Sequence, residues 1–271
     1  MKPFHVFLHD LLGSWVDCDE VRAYLLQPES VAVYNMAFSC MGTEGVGAID
    51  IPAPHNGTYE AYEQIGDSII KVFMTTYFYR RFPRLWNNNY GVKIVARLII
   101  KYGSKDVLAS FADHYGFLPY IQFGANTETL SDSRRMSIME DVFEAFIGAT
   151  AVIVDYQYGA VGVGLIISLQ ILEKVFNAID VPLTFEQLFD AKTRLKEMVD
   201  VFRFEIQYVA QKQGAATRVD VVWDKTIIGT ATSAIKARAE QQAAEMALAH
   251  LNMLGYAKDI PKEYLAIINE P

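Results

Sequence analysis

The sequence is short of cysteine, of basic charge and of long apolar runs. Its 271 residues include two cysteines, Cys18 and Cys40, which are too few for a disulfide framework or a zinc site. The longest apolar stretch, residues 159–172, is interrupted by glycines and is too short to span a bilayer. No basic and apolar leader is present at the N-terminus. We therefore expect a soluble, intracellular protein without a membrane partner, in either the cytoplasm or the nucleus.

The formal net charge is −8, whereas proteins that bind nucleic acids are usually basic. The acidic excess is confined to the first part of the chain. Residues 1–187 hold 13 Lys and Arg against 21 Asp and Glu, and residues 188–256 hold 9 against 8. An acidic region can still act on a polyanion if its carboxylates bind divalent cations. The charge distribution therefore leaves a nucleic-acid substrate open.

The apolar periodicity divides the chain into a helical part and a mixed part. Helices are predicted over residues 1–40, 59–79, 92–103, 104–116, 134–154 and 160–179, with a glycine- and proline-rich loop at 41–58. The remainder is predicted to fold as a helix (185–201), three strands (204–211, 217–223, 226–232) and a helix (237–254). We expect an α+β protein: an all-α domain (1–181), an α-β-β-β-α domain (182–256) and a C-terminal tail (257–271).

The first group of chemically informative residues lies on the helix predicted at 59–79. Glu60, Glu63 and Asp67 are spaced i, i+3 and i+7, which places them on one face over two turns. The neighbouring isoleucines predict a largely buried helix, and buried carboxylates need a partner or a metal. Gly66 removes a side chain where a second helix can approach.

A second pair of acids lies on the helix predicted at 134–154. Asp141 and Glu144 are spaced i, i+3 in an apolar segment, followed by the small residues Gly148 and Ala149. If the two helices pack together, Glu63, Asp67, Asp141 and Glu144 converge. Oxygen ligands of this kind suit Mg²⁺ or Mn²⁺, and no nearby His or Cys cluster favours zinc.

A simpler interpretation is that these acids lie on solvated faces. They would then pair with basic residues close to them in the sequence: Arg80, Arg81, Arg134 and Arg135.

The same two segments resemble the ribonuclease III family. Residues 59–68, YEAYEQIGDS, are similar to that family's first catalytic motif, and residues 141–149, DVFEAFIGA, are similar to its second. Asp155 follows where the family often has Leu-Asp. Residues 190–197 and 239–244 resemble the first and last helices of the double-stranded RNA-binding domain that often follows the catalytic domain.

The sequence departs from the family pattern in several places. The loop at 41–56 is longer than usual, Ser39-Cys40 replaces a His-Arg pair, and Tyr90 stands where a glutamate is often found. In the last third, the usual Gly-Pro-x-His element is 214–217, GAAT, and the usual Lys-Lys pair is diluted to Lys236-Ala237-Arg238.

The resemblance implies a metal-dependent endonuclease acting on double-stranded RNA. Its metal ligands would be the four acids Glu63, Asp67, Asp141 and Glu144, and its products would carry 5′-phosphate and 3′-hydroxyl ends. RNA contacts are expected at Glu60, Lys192, Lys196, Lys236 and Arg238.

The resemblance also implies a homodimer formed through the first motif helix. Tyr62, Ile65 and Ile69 are the apolar positions that fit such an interface. The alternative is that these three side chains belong to the core of the monomer.

Two other functions remain open at this point. A non-catalytic double-stranded RNA-binding protein of the same fold would sequester RNA or associate with ribosomes, and the loss of a core acid would favour it. A helical metal-dependent phosphohydrolase acting on small substrates is the second alternative, and it would have no need of the α-β-β-β-α module.

Overall fold

The chain folds into two compact units. The structure, a computed structural model, describes residues 2–41, 50–53, 57–87, 89–124 and 130–269. One unit comprises Met1–Pro83 with Leu98–Asp180, and the other comprises Arg84–Arg97 with Val181–Pro271. Most of the loop predicted at 41–58, namely residues 42–49 and 54–56, lies outside the described residues. No helix in the described ranges is both long and apolar enough to cross a membrane.

The first unit is helical, as the apolar periodicity predicts. Its helices, with α5 shared between the two units, are α1 (Phe4–Trp15), α2 (Asp19–Leu25), α3 (Pro28–Ala37), α4 (Glu60–Arg81), α5 (Asn89–Tyr102), α6 (Lys105–His114), α7 (Asp132–Tyr158) and α8 (Val163–Asn177). A 3-10 turn covers Pro83–Asn87. Helix α7 is buried along most of its length and forms the centre of this unit, where Phe143 and Phe146 are fully buried.

Two glycines allow α4 and α7 to pack at backbone contact. A Cβ atom on Gly66 would lie 1.8 Å from the carbonyl oxygen of Glu144. A Cβ atom on Gly148 would lie 2.0 Å from the carbonyl oxygen of Tyr62. Both distances are far below van der Waals contact, so only glycine fits at either position. The close helix approach predicted at Gly66 and Gly148 is confirmed.

Helix α4 buries one face rather than its whole surface. Ile69 and Ile70 are buried, but Ile65 is 39% exposed and Val72 is 49% exposed. The expectation of a largely buried helix is therefore wrong for Ile65.

The second unit contains a three-stranded antiparallel sheet. Its elements are α9 (Phe185–Leu188), α10 (Ala191–Phe202), β1 (Ile206–Gln213), β2 (Ala216–Trp223), β3 (Thr226–Ser233), α11 (Lys236–Met253) and α12 (Lys262–Asn269). The strand order is β1-β2-β3, with Tyr208 opposite Val221. The sheet core is formed by Leu195 of α10, Val219 and Val221 of β2, and alanines of α11. The order α-β-β-β-α is confirmed.

The single helix predicted over 185–201 is wrong, because the chain breaks at Phe189–Asp190. Asp190 has an extended backbone, and its carboxylate accepts hydrogen bonds from the backbone N–H of Thr193 at 3.0 Å and from the Thr193 hydroxyl at 2.7 Å. These bonds satisfy the first turn of α10. A strong N-cap therefore starts a new helix where apolar periodicity alone predicts continuity.

The tail, for which the sequence made no secondary-structure prediction, forms α12 against the start of the second unit. Tyr264 is fully buried and donates a hydrogen bond to the carbonyl oxygen of Leu183. Its ring lies edge-on to Phe185, with ring centroids 5.3 Å apart. Tyr90 packs edge-on against the same ring, with centroids 6.3 Å apart.

We predict that Gly66→Ala destabilises the protein by about 3 kcal/mol or more, because the new methyl group must push α4 away from α7. Gly13→Ala is the matched control, since Gly13 lies in α1 and nothing approaches its Cβ position within 4 Å. That change should stabilise the protein by roughly 0.5–1 kcal/mol through helix propensity. Urea denaturation measures both values, and equal small effects would contradict the role of the close contact.

Candidate active site

The four predicted acids are carried by the two helices that pack through Gly66 and Gly148. Glu63 and Asp67 lie on α4, one helical turn apart, and Asp141 and Glu144 lie on α7. The backbone of Glu144 is the group that Gly66 touches. The acid pairs are therefore brought to the same region by the helix contact itself.

Glu144 is the most strongly perturbed of these carboxylates. Its side chain is buried, with the residue 7% exposed. Burial, together with the nearby charges of Asp67, Glu140, Glu63 and Asp141, raises the pKa of Glu144 to about 8. It makes no hydrogen bond or ion pair with any described residue. Burial and the nearby charges both disfavour the ionised form of Glu144.

Glu63 lies in the same acidic environment. Burial raises its pKa, and the charges of Asp141, Glu140, Glu60 and Asp67 act in the same direction. These mutual effects show that acids from both helices are electrostatic neighbours. Glu60, the outermost acid of α4, is exposed and acts on Glu63 from the edge of the group.

Two of the four acids have partners within the first unit. Asp67 pairs with Lys71, with Nζ and Oδ2 2.5 Å apart. Asp141 accepts a hydrogen bond from the Tyr59 hydroxyl at 2.9 Å. The partners considered in the alternative interpretation lie elsewhere: Arg80 pairs with Glu173 at 3.5 Å, and Arg81 donates to Tyr77 and to backbone carbonyls. Pairing of the four acids with Arg80, Arg81, Arg134 or Arg135 is not found in the described residues.

The donor set fits a hard divalent cation, although the side chains are not gathered around one point. Within the described ranges, no three His, Cys, Asp or Glu side chains stand ready to hold a metal ion. Asp67 pairs with Lys71 and Asp141 accepts a hydrogen bond from Tyr59, and the negative charges of the acids repel one another. A buried carboxyl such as Glu144, surrounded by other acids and without a basic partner, is the kind of group that a cation stabilises. Glu63, Asp67, Asp141 and Glu144 are the residues that would hold it.

Three residues near the site were missed by the sequence reasoning. Glu140 is mostly buried, pairs with Lys105 at 3.1 Å and adds negative charge beside Glu144. Its i, i+4 spacing from Glu144 was the available signal. Tyr59 and Lys71 were missed because neither residue type indicates a partner on its own.

Asp155 has a structural role at the end of α7. Its carboxylate accepts hydrogen bonds from the backbone N–H of Gly162 at 3.0 Å and of Gly164 at 2.7 Å. It therefore caps the start of α8 and orients the α7–α8 turn.

The predicted RNA contacts other than Glu60 lie on α10 and α11. Lys192 and Lys236 both pair with Glu240, at 2.5 Å and 3.6 Å, so part of their charge is neutralised. Lys196 is exposed on α10 and has no ion pair among the described residues. Arg238 is exposed on α11. The basic surface is therefore interrupted by Glu240, and Lys196 is its least compensated member.

We predict that Glu144→Gln stabilises the metal-free protein at high pH. Between pH 4.5 and about 8 the folded chain holds the Glu144 proton that the unfolded chain has lost, so the free energy of unfolding falls as the pH rises. The variant should be more stable than the wild type by on the order of 2–4 kcal/mol at pH 8, and nearly equal at pH 5. Urea denaturation with a chelator measures this difference. Glu173→Gln is the control, and an advantage of Glu144→Gln that does not change with pH would contradict the prediction.

Comparison with known proteins finds two family matches along the chain. Residues 60–153 match the ribonuclease III domain, and residues 191–251 match the double-stranded RNA binding motif. A ribonuclease 3 homologue of Invertebrate iridescent virus 6 is 33% identical over 92% of this chain and 88% of its own length. Ribonuclease 3 of Limosilactobacillus fermentum is 31% identical over 74% of this chain and 84% of its own.

Two further matches are either shorter relative to the known protein or more distant. A ribonuclease 3 homologue of Frog virus 3 is 38% identical over 74% of this chain, but the match spans only 53% of that relative's length. The structure of Dicer from Pichia stipitis aligns over 78% of this chain and 100% of its own, at 20% identity and a TM-score of 0.32, which is too distant to support an argument. On the two family matches and the viral and bacterial relatives, the chain belongs to the ribonuclease III family, with a ribonuclease III domain followed by a double-stranded RNA binding motif.

Proposed function

We propose that this chain is an endoribonuclease that hydrolyses double-stranded RNA, with Glu63, Asp67, Asp141 and Glu144 as its metal ligands. The observation that carries the proposal is that α4 and α7, held at backbone contact by Gly66 and Gly148, bring two acid pairs into electrostatic contact. The double-stranded RNA binding motif at 191–251 supplies the substrate class. All four acids are present, which argues against a non-catalytic RNA-binding protein. A phosphohydrolase of small molecules would not need the motif.

The ribonuclease III family generally depends on divalent metal ions, and we propose Mg²⁺ for this chain, with Mn²⁺ as the other candidate. When bound, such an ion supplies positive charge that stabilises the phosphate and lowers the pKa of a water molecule. Glu144 would be ionised as a ligand of such an ion, and beside Asp67 the ion would take the place of the Lys71 ammonium group. The expected products carry 5′-phosphate and 3′-hydroxyl ends.

We assign the RNA contacts to Glu60 in the first unit and to basic residues of the second, namely Lys192, Lys196, Lys236 and Arg238. Basic side chains at two helix starts can neutralise phosphates of A-form RNA, whose shape is read without base sequence. Lys192 and Lys236 must share their charge with Glu240, so Lys196 should carry more of the phosphate contact than either of them.

We further propose a homodimer through α4. Ile65 and Val72 are 39% and 49% exposed and are spaced i, i+7, so they lie on one face of α4. Tyr62 and Ile69 are buried within the first unit, so they belong to the monomer core as the alternative held. The interface therefore rests on Ile65 and Val72. A monomer mass at micromolar concentration in sedimentation equilibrium would contradict it.

For the domain division we propose a catalytic domain at 1–181, an RNA-binding domain at 182–256 and a tail at 257–271. The boundary between the two compact units also lies at residues 180–181, although residues 84–97 and the tail belong to the second unit. Limited proteolysis that cuts within 191–251 before it cuts near 181 would contradict this division.

The decisive test is cleavage of long, end-labelled double-stranded RNA. The wild type should cut the duplex only when Mg²⁺ or Mn²⁺ is present. Glu144→Gln should still bind RNA, but its cleavage rate should fall by on the order of 100-fold or more. Glu173→Gln removes a carboxylate outside the acid group, and it should cut at the wild-type rate. A wild type that binds duplex but never cuts it with either ion would favour the non-catalytic alternative.

We predict that Lys196→Gln weakens duplex binding and lowers its dependence on salt. Loss of one phosphate contact should reduce the slope of log K against log salt concentration by about 1, with little effect on sequence preference. Lys225→Gln, in the β2–β3 turn, is the matched control. Filter binding of the uncleaved duplex, in the Glu144→Gln background, measures both slopes. Equal slopes for the two variants would exclude Lys196 as a phosphate contact.

A further inference from the structure

Tyr59 links the two acid-bearing helices directly. Tyr59 is 7% exposed and lies immediately before α4. Its hydroxyl donates a 2.9 Å hydrogen bond to Oδ2 of Asp141, which lies 82 residues further along the chain. Within the described residues this is the one side-chain hydrogen bond that Asp141 makes. A phenol has a single proton to donate, so one carboxylate oxygen is fixed and the other is left unbonded.

The backbone of Tyr59 is anchored as firmly as its side chain. Its N–H donates to the carbonyl oxygen of Ser39 at 3.1 Å. The segment around Ser39 is itself held by Gln122, whose N–H donates to the carbonyl oxygen of Phe38 at 2.9 Å. The Tyr59 hydroxyl therefore projects from a fixed point toward α7.

The same residue also sets the position of a second acid. The carbonyl oxygen of Tyr59 accepts the N–H of Glu63 at 2.9 Å, as part of the first turn of α4. One residue thus contacts an acid of each helix: Glu63 through the backbone and Asp141 through the side chain. Such a residue can fix the spacing between two ligands that belong to different helices.

We infer that Tyr59 is a positioning residue for the metal site, which orients Asp141 relative to Glu63 so that the free carboxylate oxygen of Asp141 is available to a divalent cation. The inference rests on the proposed function. Groups that hydrogen-bond a metal-binding carboxylate fix its orientation, and their loss typically lowers metal affinity or activity by roughly 10-fold or more. Tyr59 supplies this fixing without adding charge to the site.

Tyr62 provides a matched control on the same helix. It is also buried, and its hydroxyl donates to the carbonyl oxygen of Pro52 at 3.3 Å rather than to a carboxylate. Tyr59→Phe and Tyr62→Phe therefore remove the same atom from similarly buried tyrosines. Only the first change releases a proposed metal ligand.

The first experiment measures Mn²⁺ binding to the full chain without RNA, from the electron paramagnetic resonance signal of free Mn²⁺. Tyr59→Phe should bind Mn²⁺ roughly 10-fold more weakly than the wild type, and Tyr62→Phe should remain within about twofold. In duplex cleavage, Tyr59→Phe should need a correspondingly higher Mg²⁺ concentration for half-maximal rate, and saturating Mg²⁺ should restore most of the rate. Unchanged Mn²⁺ affinity in Tyr59→Phe would overturn the inference.

A double-mutant cycle separates positioning from a general loss of structure. If Tyr59 acts through Asp141, the effect of Tyr59→Phe on Mn²⁺ affinity should largely disappear when Asp141 is already changed to Asn. Two losses that simply add would show that Tyr59 acts elsewhere and would overturn the inference. A wild type that neither binds Mn²⁺ nor cuts duplex RNA would instead refute the proposed function. A wild type that does both, beside an unaltered Tyr59→Phe, would refute only the role of Tyr59.

Discussion

The backbone contact between α4 and α7 is the constraint on which the site depends. Gly66 meets the carbonyl of Glu144, and Gly148 meets the carbonyl of Tyr62. Each helix therefore lacks a side chain at the point where the backbone of the other lies against it. Any larger residue would separate the helices and would move Glu63 and Asp67 away from Asp141 and Glu144. The same contact therefore forms the centre of the helical unit and assembles its acidic group.

This arrangement has an electrostatic cost that the rest of the site offsets. Several acids share a partly buried region, and the result is a raised pKa for Glu144. Lys71 compensates Asp67, Lys105 compensates Glu140, and the Tyr59 hydroxyl stabilises Asp141. The repulsion within this group of carboxylates is thus reduced by the raised pKa of Glu144, two ammonium groups and one phenol.

The RNA-binding unit uses the opposite balance of charge. Its core is built from small alanines of α11 packed on β2 and α10, which leaves the polar ends of both helices exposed. Glu240 lies between Lys192 and Lys236 and draws them together across the two helices. Glu240 therefore neutralises part of the positive charge on the surface that we propose binds RNA.

The sequence by itself predicted which acids lie near one another and in which order helices and strands occur. Helical and strand periodicity are local properties. Spacing alone therefore predicted that Glu63 shares a helix face with Asp67 and Asp141 with Glu144, and it predicted the α-β-β-β-α order. The break at Asp190 was missed because an N-cap can override apolar continuity. Only the tertiary structure decided that Glu144 is buried and has a raised pKa, that Tyr59 donates a hydrogen bond to Asp141, and that Glu240 pairs with Lys192. Those contacts join residues far apart in the chain, 82 positions for Tyr59 and Asp141 and 48 for Lys192 and Glu240, and local periodicity carries no information about such pairs.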